Sequence, residues 1–468
     1  MNCKTISNRK LNDMEKFMLS CFRAFALLCL FFSFFTSVFA ETKEKTEQET
    51  EEGKTKGLSL IAVPMLSFDT DLGIQFGAFG HLFNYGDGSR YPKYDYSVSL
   101  EYSRYTKGGQ QFRLSFDSDR LIKNIQTNLD VVYLEDLLAY FFGYNGYNAV
   151  YIPEMEQMNR AFYRYQNKSF RIKPDFQGYF GDTRFGWIAG VSIMHVNPGS
   201  VDFARINRDK TNSLQNLPED PDMYLFNKYV NWGIISSEET KKKWLNYLKI
   251  GVKYDTRDFA LNPFRGMLTE VMLQGAPSFL FNDFPHAKFA VIHRQYVPVV
   301  DKRMNFVYRV FYQTTVGNSK VPFYAQPLLM SSFETSTMTQ GLGGARTLRG
   351  IMKNRVVGDG FLMVNAEFRL KLLQFHFHNQ HFEFVTNPFI DAGYITKTVD
   401  ISKQLSQLSE AERTTFFRDY KQAVHASAGL GFKMILNDNF VMSLEAGKPF
   451  DKRDGEIFRI YLNTSYSF

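Results

Sequence analysis

Few residues after position 40 have the type and spacing needed for chemistry. All cysteines precede that point: Cys3, Cys21 and Cys29. The rest of the chain therefore has no thiol nucleophile, thiolate zinc site or disulfide. It also lacks a serine-hydrolase elbow, a His-Glu-x-x-His helix and a phosphate-binding glycine loop between strand and helix. The nearest thing to a metal-ligand cluster, His376, His378 and His381, falls in a predicted turn and is interpreted as solvated. We therefore expect that the protein is not an enzyme and that it binds no metal or cofactor.

Charge gives little support for nucleic-acid binding. The formal net charge is +7, and residues 1–40 account for +3 of it. Apart from Lys241-Lys242-Lys243, the remaining chain has no cluster of basic residues. Because such binding depends on several Lys and Arg side chains that face phosphates, no nucleic-acid partner is expected.

The first 56 residues divide into a predicted leader and a charged tether. Residues 1–40 combine basic side chains with an apolar stretch at 24–35 and a small residue at Ala40, a pattern typical of a secretory signal peptide. A membrane-spanning helix is the disfavoured alternative, because the stretch is shorter than the roughly 20 residues that a bilayer requires. Residues 41–56 contain no apolar side chain that could enter a core, which predicts a disordered, solvated tether.

From Gly57 onward, apolar and polar residues alternate with a period of two. In the segment 362–372 every even-numbered residue is apolar, and the polar residues Asn365, Glu367 and Arg369 lie between them. The C-terminal segment 458–468 shows the same pattern. Alternation of this kind predicts strands with one apolar and one polar face.

Counting such segments predicts sixteen strands within residues 57–468. The long connections, 137–159, 198–243, 319–358 and 397–423, all fall on one side, and the connections on the other side are shorter. This asymmetry is typical of an outer-membrane barrel, whose closed strands satisfy every backbone polar group in lipid. We therefore predict an all-β fold, a sixteen-stranded antiparallel transmembrane β-barrel, with a soluble β-sandwich or open barrel as the alternative.

Two short helices are predicted in these connections. Ser409-Glu-Ala-Glu412 and Ser236-Ser-Glu-Glu239 both resemble a capping box, in which the serine and the glutamate satisfy the first free amides of a helix.

Motifs in the C-terminal half carry a family resemblance. They are 251–258 with 262–266, 343–350, 389–393 and 427–432. In this order and spacing they resemble the BamA/TamA superfamily of outer-membrane assembly and translocation barrels, also called bacterial surface antigens. The resemblance covers roughly 57–468 and implies an integral protein of the Gram-negative outer membrane, with one long connection inserted into the lumen. Residues 41–56 are too few for a periplasmic POTRA domain, so the chain is similar to the subgroup without such domains.

The resemblance implies a loop anchor. In the family a Leu/Val-Arg-Gly segment enters the lumen, and its arginine pairs with acids on neighbouring strands. Leu348, Arg349 and Gly350 match that segment, and Glu367 and Asp391 match the acids. The alternation independently places both acids on the face opposite the apolar residues. The pairing is physically necessary, because an unmatched buried charge costs on the order of several kcal/mol. A moving gate is the alternative to an anchor.

The same resemblance assigns the first motif to the inner rim of the barrel. Its residues end one predicted strand in a charged turn and begin the next at a glycine: Asp255, Arg257, Asp258, Pro263 and Gly266.

The first and last strands are predicted to meet at a seam, which in the family is thought to open sideways. Pro64 lies within the first predicted strand and cannot donate a ladder hydrogen bond, so it would weaken the seam. An ordinary bulge is the alternative. The terminal Phe468, preceded by Tyr466, is similar to the signal by which the host assembly machinery recognises barrels.

Two functions follow as hypotheses. The first is insertion or translocation of proteins or lipids at the outer membrane through the weak seam. The alternative is a plugged pore, receptor or structural surface protein without insertase activity. The expected partners are membrane lipid and lipopolysaccharide, together with outer-membrane protein clients or a partner subunit that supplies periplasmic domains.

Overall fold

A computed structural model describes most of the chain after the tether. The described ranges are 56–69, 73–90, 93–106, 108–208, 216–259, 262–332, 341–377, 380–436 and 440–463. The predicted leader, residues 41–55 of the tether, Tyr466 and Phe468 lie outside the described residues. The chain divides into two units. One unit comprises Lys56–Phe375 and His381–Phe468, and it contains the sheet and the site. The other comprises Met1–Thr55 and His376–Gln380. Only three of its residues are described, and they lie at the ends of two strands.

Seventeen strands are present in the described residues. They are β1 (Leu58–Asp69), β2 (Gly73–Asn84), β3 (Tyr96–Tyr105), β4 (Gly109–Ile122), β5 (Ile125–Tyr140), β6 (Arg164–Tyr179), β7 (Phe185–Gly199), β8 (Lys243–Trp244), β9 (Tyr247–Asp255), β10 (Gly266–Ala276), β11 (His286–Val300), β12 (Met304–Thr315), β13 (Gly360–Phe377), β14 (Gln380–Lys397), β15 (His425–Leu436), β16 (Phe440–Pro449) and β17 (Arg459–Asn463).

All of these strands belong to one sheet. Most strands that follow each other along the chain pair antiparallel, as in the continuous register of β1 with β2 and of β11 with β12. β9 pairs with both β7 and β10, so the sheet continues past β8. β1 also pairs with β17, where Phe68 lies opposite Leu462 and Asp69 opposite Tyr461. This order confirms the predicted all-β antiparallel class.

The predicted count of sixteen strands is one too low for the described residues. The predicted strand 244–257 is divided into β8 and β9, which both pair with β7. Between them, the side-chain oxygen of Asn246 accepts a hydrogen bond from Met194 N at 3.2 Å, and Leu245 N donates to Met194 O at 2.8 Å. A side-chain amide replaces a backbone group of the ladder, and the period-two pattern gives no sign of that interruption.

The strands bury polar side chains and expose apolar ones. In β13, Asn365 and Glu367 are 1% exposed, whereas Val364 is 37% and Phe368 46% exposed. Apolar side chains are exposed on other strands as well: Leu60, Phe76, Leu100, Phe112, Phe170, Ile193, Ile250, Leu273 and Ile390. This arrangement is the reverse of a water-soluble protein, and it matches the lipid-facing band of a transmembrane sheet.

The long connections carry short helices. These are α1 (Pro153–Met158), α2 (Phe203–Asn207), α3 (Leu225–Asn231), α4 (Ser402–Leu405) and α5 (Glu410–Phe416). Single 3-10 turns lie at Gly146–Asn148, Pro221–Met223, Ser278–Leu280 and Lys452–Asp454. Within the described ranges, we find no helix with the length and apolar character to span a membrane.

The four long connections pack on one another around buried aromatic rings. Phe141 meets Tyr229 edge to face at 5.0 Å and Phe323 at 6.4 Å, and Phe162 stacks with Phe416 at 6.3 Å. These residues belong to the same apolar cluster. Aromatic pairs at such distances add to the stabilisation from burial itself. The connections therefore form a cap with a hydrophobic core of its own.

One of the two predicted capping boxes begins a helix. Ser409 and Glu412 make both reciprocal hydrogen bonds at the start of α5. Ser236 N and Oγ donate to Glu239 Oε1 in the same way, but the chain continues as a turn and then enters β8. The other oxygen of Glu239 accepts from Phe323 N at 2.8 Å. The predicted second helix is therefore wrong, because Glu239 joins two connections of the cap.

Candidate functional site

The site is built on a tight turn in the connection between β12 and β13. Thr347 Oγ1 donates to Gly343 O and accepts from Gly343 N, each at 2.9 Å. Gly350 has a φ of +94°, and its N–H donates to Tyr461 Oη of β17 at 3.1 Å. A Cβ at Gly350 would lie 2.6 Å from the carbonyl carbon of Gly447 in β16. Only glycine permits both this backbone conformation and this approach.

Arg349 lies among carboxylates from three strands and is 1% exposed. Its Nε and Nη2 donate to the two oxygens of Asp391 at 2.9 Å, and its backbone N–H donates to Asp391 Oδ2 at 2.9 Å. Nη1 donates to Glu367 Oε2 at 3.1 Å and to Glu445 Oε1 at 2.9 Å. The structure thus brings together the predicted anchor residues, with Leu348 fully buried beside Arg349.

Sequence reasoning missed Glu445 and two of the cations in this cluster. Arg369 Nη2 donates to Glu367 Oε1 at 2.6 Å, and Lys433 Nζ lies 3.5 Å from Glu445 Oε1. Together with Arg349 these cations balance the three carboxylates, and all six side chains are nearly inaccessible. Balance matters because buried charge is tolerated only when it is paired. The period-two patterns of β15 and β16 were the available signal, since they place Lys433 and Glu445 on the polar face.

Neutral groups complete the cluster, which we call the Arg349 cluster. Asn365 Nδ2 donates to Asp391 Oδ1 at 2.8 Å, and Asn387 Nδ2 donates to Glu367 Oε2 at 2.7 Å. The Arg349 guanidinium lies 3.6 Å from the centre of the Phe389 ring. Burial disfavours the charge on Arg349, but the Asp391 and Glu445 carboxylates outweigh that effect and hold its pKa well above its usual range. These ion pairs and hydrogen bonds connect the β12–β13 connection to β13, β14 and β16.

The predicted rim residues form the turn between β9 and β10. Arg257 pairs with Asp255 through Nε at 3.0 Å and Nη2 at 2.8 Å. Gly266 begins β10 with a φ of +98°, and a Cβ there would lie 2.3 Å from Thr256 O. Thr256 N also donates to Met267 O at 2.8 Å. The ion pair and the glycine therefore fix how the chain turns back into the sheet.

The other two rim residues attach the same turn to its surroundings. Asp258 Oδ1 accepts a hydrogen bond from Phe264 N at 3.0 Å. Asn305 Nδ2, on β12, donates to Phe264 O at 3.1 Å and lies 3.5 Å from Pro263 O. Across the described ranges, no group of three or more His, Cys, Asp or Glu side chains could hold a metal ion.

The hydrogen bonds of β1 show which of its backbone groups face β17. Tyr85 N donates to Gly57 O at 2.8 Å, so odd-numbered residues of β1 and β2 bond to each other. Thr106 N donates to Ile74 O at 2.9 Å, so even-numbered residues of β2 bond to β3. Because bonding alternates along an antiparallel ladder, the even-numbered residues of β1 direct their N–H and C=O groups away from β2, toward β17.

Pro64 is one of those even-numbered residues. It lies opposite Ala78 of β2 with its nitrogen toward the β17 side, the side on which Phe68 pairs with Leu462. Proline has no N–H, so one donor is missing from the edge of β1 that meets β17. The register with β2 is continuous through Pro64, which argues against the alternative of a bulge in that pairing.

Comparisons with known proteins agree with this geometry. A sequence profile described as the Omp85 superfamily domain matches residues 89–468. No curated protein sequence matches the chain. Among solved structures, BamA from Haemophilus ducreyi lacking POTRA domains 1–3 is similar at 16% identity and a TM-score of 0.51, covering 88% of this chain and 71% of that one. CdiB from Escherichia coli is similar at 9% identity and a TM-score of 0.50, covering 89% of this chain and 64% of that one. At these identities the likeness shows the fold alone.

Proposed function

The chain belongs to the Omp85 superfamily, and from that premise we propose that it assists insertion or translocation of proteins or lipids at the outer membrane, through the junction of β1 and β17. It is a BamA/TamA-like outer-membrane β-barrel protein, and membership of this superfamily supports the prediction that it is not an enzyme. In this proposal the sheet closes as a transmembrane barrel through β1 and β17. Residues 1–40 are removed as a signal peptide, and 41–56 form the tether.

The observation that carries the proposal is the missing donor at Pro64. A ladder hydrogen bond contributes about 0.5–1.5 kcal/mol net, and in lipid no water replaces it. The β1 edge that faces β17 lacks one such donor, at Pro64, whereas β1 pairs with β2 at every position from Leu58 to Asp69. Opening at the junction therefore costs less than opening between β1 and β2.

The loop anchor lies next to this junction. Tyr461 lies opposite Asp69 of β1 and also accepts the N–H of Gly350. The connection that carries Arg349 is thus attached to β17 itself as well as to β13, β14 and β16. In the proposed mechanism the Arg349 cluster keeps the β17 side in place while the β1 edge moves.

A disulfide across the junction tests the proposal. The chain has no cysteine after Cys29, so Phe68→Cys with Leu462→Cys gives a single engineered bond between residues that lie opposite each other. Leu100→Cys with Leu114→Cys is the matched control, between β3 and β4. We expect oxidation of the first pair alone to lower outer-membrane protein assembly or secretion in cells, reversibly on reduction.

The alternative is a plugged pore, receptor or surface protein without insertase activity. It is favoured by the way in which the connection between β12 and β13 fills space beside the inner face of the sheet, with residues 321–327 buried. Efficient crosslinking of the junction without any loss of assembly or secretion would favour this second function. Lipid and lipopolysaccharide are proposed partners in both cases, and protein clients or a subunit with periplasmic domains only in the first.

A further inference from the structure

The polar face of the sheet carries an apolar patch on β1 and β2, at the end away from the cap. On β2, Gln75 Nε2 donates to Ser103 Oγ of β3 at 2.8 Å, so Gln75 lies on the polar face. Because side chains alternate between the two faces of a strand, the later odd-numbered residues of β2 lie on the same face, as do the residues opposite to them on β1. They form what we call the β1–β2 patch: Ile61, Phe79, His81 and Phe83.

The neighbouring strands carry charged and polar groups on this face. Gln111 Nε2 of β4 donates to Glu101 Oε1 of β3 at 2.9 Å, and Arg113 of β4 pairs with Asp130 of β5 at 2.7 Å. In a transmembrane barrel, the face turned away from lipid is normally polar in this way. The β1–β2 patch is therefore a departure from the pattern of the sheet.

The patch packs on itself but leaves apolar surface uncovered. The His81 ring lies 3.8 Å from the Phe83 ring and 5.8 Å from the Phe79 ring, centre to centre. Ile61 is 47% exposed, although it lies on the face that buries polar side chains elsewhere. The preceding residue, Leu60, is 66% exposed on the lipid-facing side. β1 thus offers apolar surface on both faces, and uncovered apolar surface of this kind marks a binding site.

The same face is also apolar on the other side of the junction. Val385 of β14, Ile435 of β15 and Val441 of β16 form a buried cluster. Because the registers of these strands are continuous, the three residues lie on the face of the Arg349 cluster, farther from the cap than its charged side chains. Apolar side chains therefore flank the junction of β1 and β17 on both sides.

The chemistry of the patch suits a hydrocarbon chain better than a polypeptide. Apart from the His81 imidazole, its side chains have no group that donates or accepts a hydrogen bond. The peptide groups of a polypeptide placed there would lose their partners, which is costly. An acyl chain has no such groups and gains from contact with aliphatic and aromatic side chains.

The rim beside the patch does not select the charge of a headgroup. The Tyr94 ring lies 5.5 Å from the Phe83 ring, and the next residue, Asp95, accepts hydrogen bonds from Arg90 at 3.2 Å and from Arg120 at 3.1 Å. A second carboxylate also pairs with Arg90. Two arginines and two carboxylates balance, so we expect recognition of the acyl chain and not of the headgroup.

We propose that the β1–β2 patch binds the acyl chain of a membrane lipid, which reaches it from the bilayer around the edge of β1. The inference rests on the proposed function and deepens it, since it names a membrane lipid as material that passes the junction. The acyl chain enters when the β1 edge parts from β17, and the headgroup stays at the rim, in contact with water.

Photocrosslinking from the patch tests the site. The full-length protein with Phe79→p-benzoylphenylalanine is placed in phosphatidylethanolamine vesicles and irradiated, and lipid adducts are measured by mass spectrometry. The same change at Ser115 of β4 is the matched control, because Ser115 lies on the polar face at the level of His81. We expect about tenfold or more lipid adduct at Phe79 relative to Ser115, since only the patch is apolar. Equal adducts at the two positions, or none at Phe79, would overturn the site.

Two further comparisons show whether the patch itself binds the acyl chain. Ile61→Asn should lower the adduct at Phe79 severalfold, whereas Ile61→Leu should retain it. Phosphatidylglycerol vesicles should give the same adduct within about threefold, because the rim is balanced in charge. An adduct that Ile61→Asn leaves unchanged, or one that requires an anionic lipid, would overturn acyl-chain recognition. Phe83 provides a second crosslinking position if the Phe79 variant does not fold.

The junction disulfide separates this inference from the proposed function. With Phe68→Cys and Leu462→Cys oxidised before transfer into vesicles, the adduct at Phe79 should fall severalfold. A crosslinker at Phe76, which is 49% exposed on the lipid-facing side, should keep its adduct. An adduct at Phe79 that survives oxidation would overturn entry through the junction. Loss of assembly or secretion on oxidation, without any lipid adduct at Phe79, would keep the proposed function and reject only the site.

Discussion

The Arg349 cluster on β13 to β16 and the junction of β1 with β17 differ in how their polar groups are satisfied. In the cluster, the guanidinium and the backbone N–H of Arg349 donate to carboxylates from three strands, and each charge is balanced. At the junction, Pro64 presents no donor toward β17. These two regions are joined by Tyr461, which contacts Gly350 and lies opposite Asp69. The difference is the basis of our proposal that a firmly held loop and a weak edge lie side by side.

Of the variants that test this comparison, Arg349→Ala should lower stability most. Arg349→Ala leaves Asp391, Glu367 and Glu445 buried with too little positive charge, and loss of one partner from a buried ion pair costs about 3–5 kcal/mol. We expect a lower urea midpoint of unfolding and new protease cleavage in the 316–359 connection. Arg413→Ala, on the exposed face of α5, is the control. Unchanged protease resistance would show that the turn is held without the arginine.

Gly350→Ala tests the attachment between the anchor and β17. The positive φ and the close approach to Gly447 each cost about 1–3 kcal/mol with a Cβ present. Gly233→Ala is a matched control, because Gly233 has a φ of +68° but open space around a Cβ. The difference between the two urea midpoints isolates the packing against β16. Equal midpoints would mean that the close packing of Gly350 against β16 does not contribute to stability.

Glu445→Gln tests the carboxylate that sequence reasoning missed. The change keeps the shape but leaves Lys433 and Arg349 with one fewer negative partner, which should cost about 1–3 kcal/mol. Glu410→Gln on the exposed start of α5 should cost nothing. The urea midpoint of unfolding is the measurement. If the Glu445 variant is as stable as its control, only Asp391 and Glu367 contribute to the stability of the cluster.

The smallest effect is expected at the junction. Pro64→Ala restores an N–H toward β17 and should strengthen that pairing by about 0.5–1.5 kcal/mol. Hydrogen exchange of Tyr461 and Leu462 should become slower, and assembly or secretion activity should fall. Ala62→Val, which keeps the N–H and alters only an exposed side chain, should leave exchange unchanged. Faster exchange in the Pro64 variant would remove the basis for a weak edge.

Much of the fold could be predicted because the signal repeats. Period-two alternation in segments such as 362–372 shows strand position and face together, and each predicted strand has a counterpart in the structure. The break at Asn246 could not be predicted, because it depends on one side chain that replaces a backbone group. The turn at Ser236 has the hydrogen bonds of a helix start, yet burial of Glu239 directs the chain elsewhere.

The site was only partly accessible from sequence for a related reason. Arg349 and its two predicted acids are marked by a family motif, whereas Glu445 is one polar residue in an ordinary alternating strand. The contacts of Lys288 and Gln313 with the β12–β13 connection leave no sequence signal, because both side chains bind backbone atoms that every residue has. The anchoring role of the cluster and the weakness of the junction remain predictions until the variants above are measured.

The alternation of polar and apolar side chains also affects how the chain reaches its final place. In β12 the apolar residues are interrupted by Asn305, Arg309 and Gln313, which all point to the buried face. Before folding, such a segment has no continuous apolar stretch and can stay dispersed in an aqueous compartment. The continuous apolar face forms only when neighbouring strands pair. For this chain we therefore expect folding and entry into the bilayer to be one event, with the proposed junction of β1 and β17 as the last part to leave water.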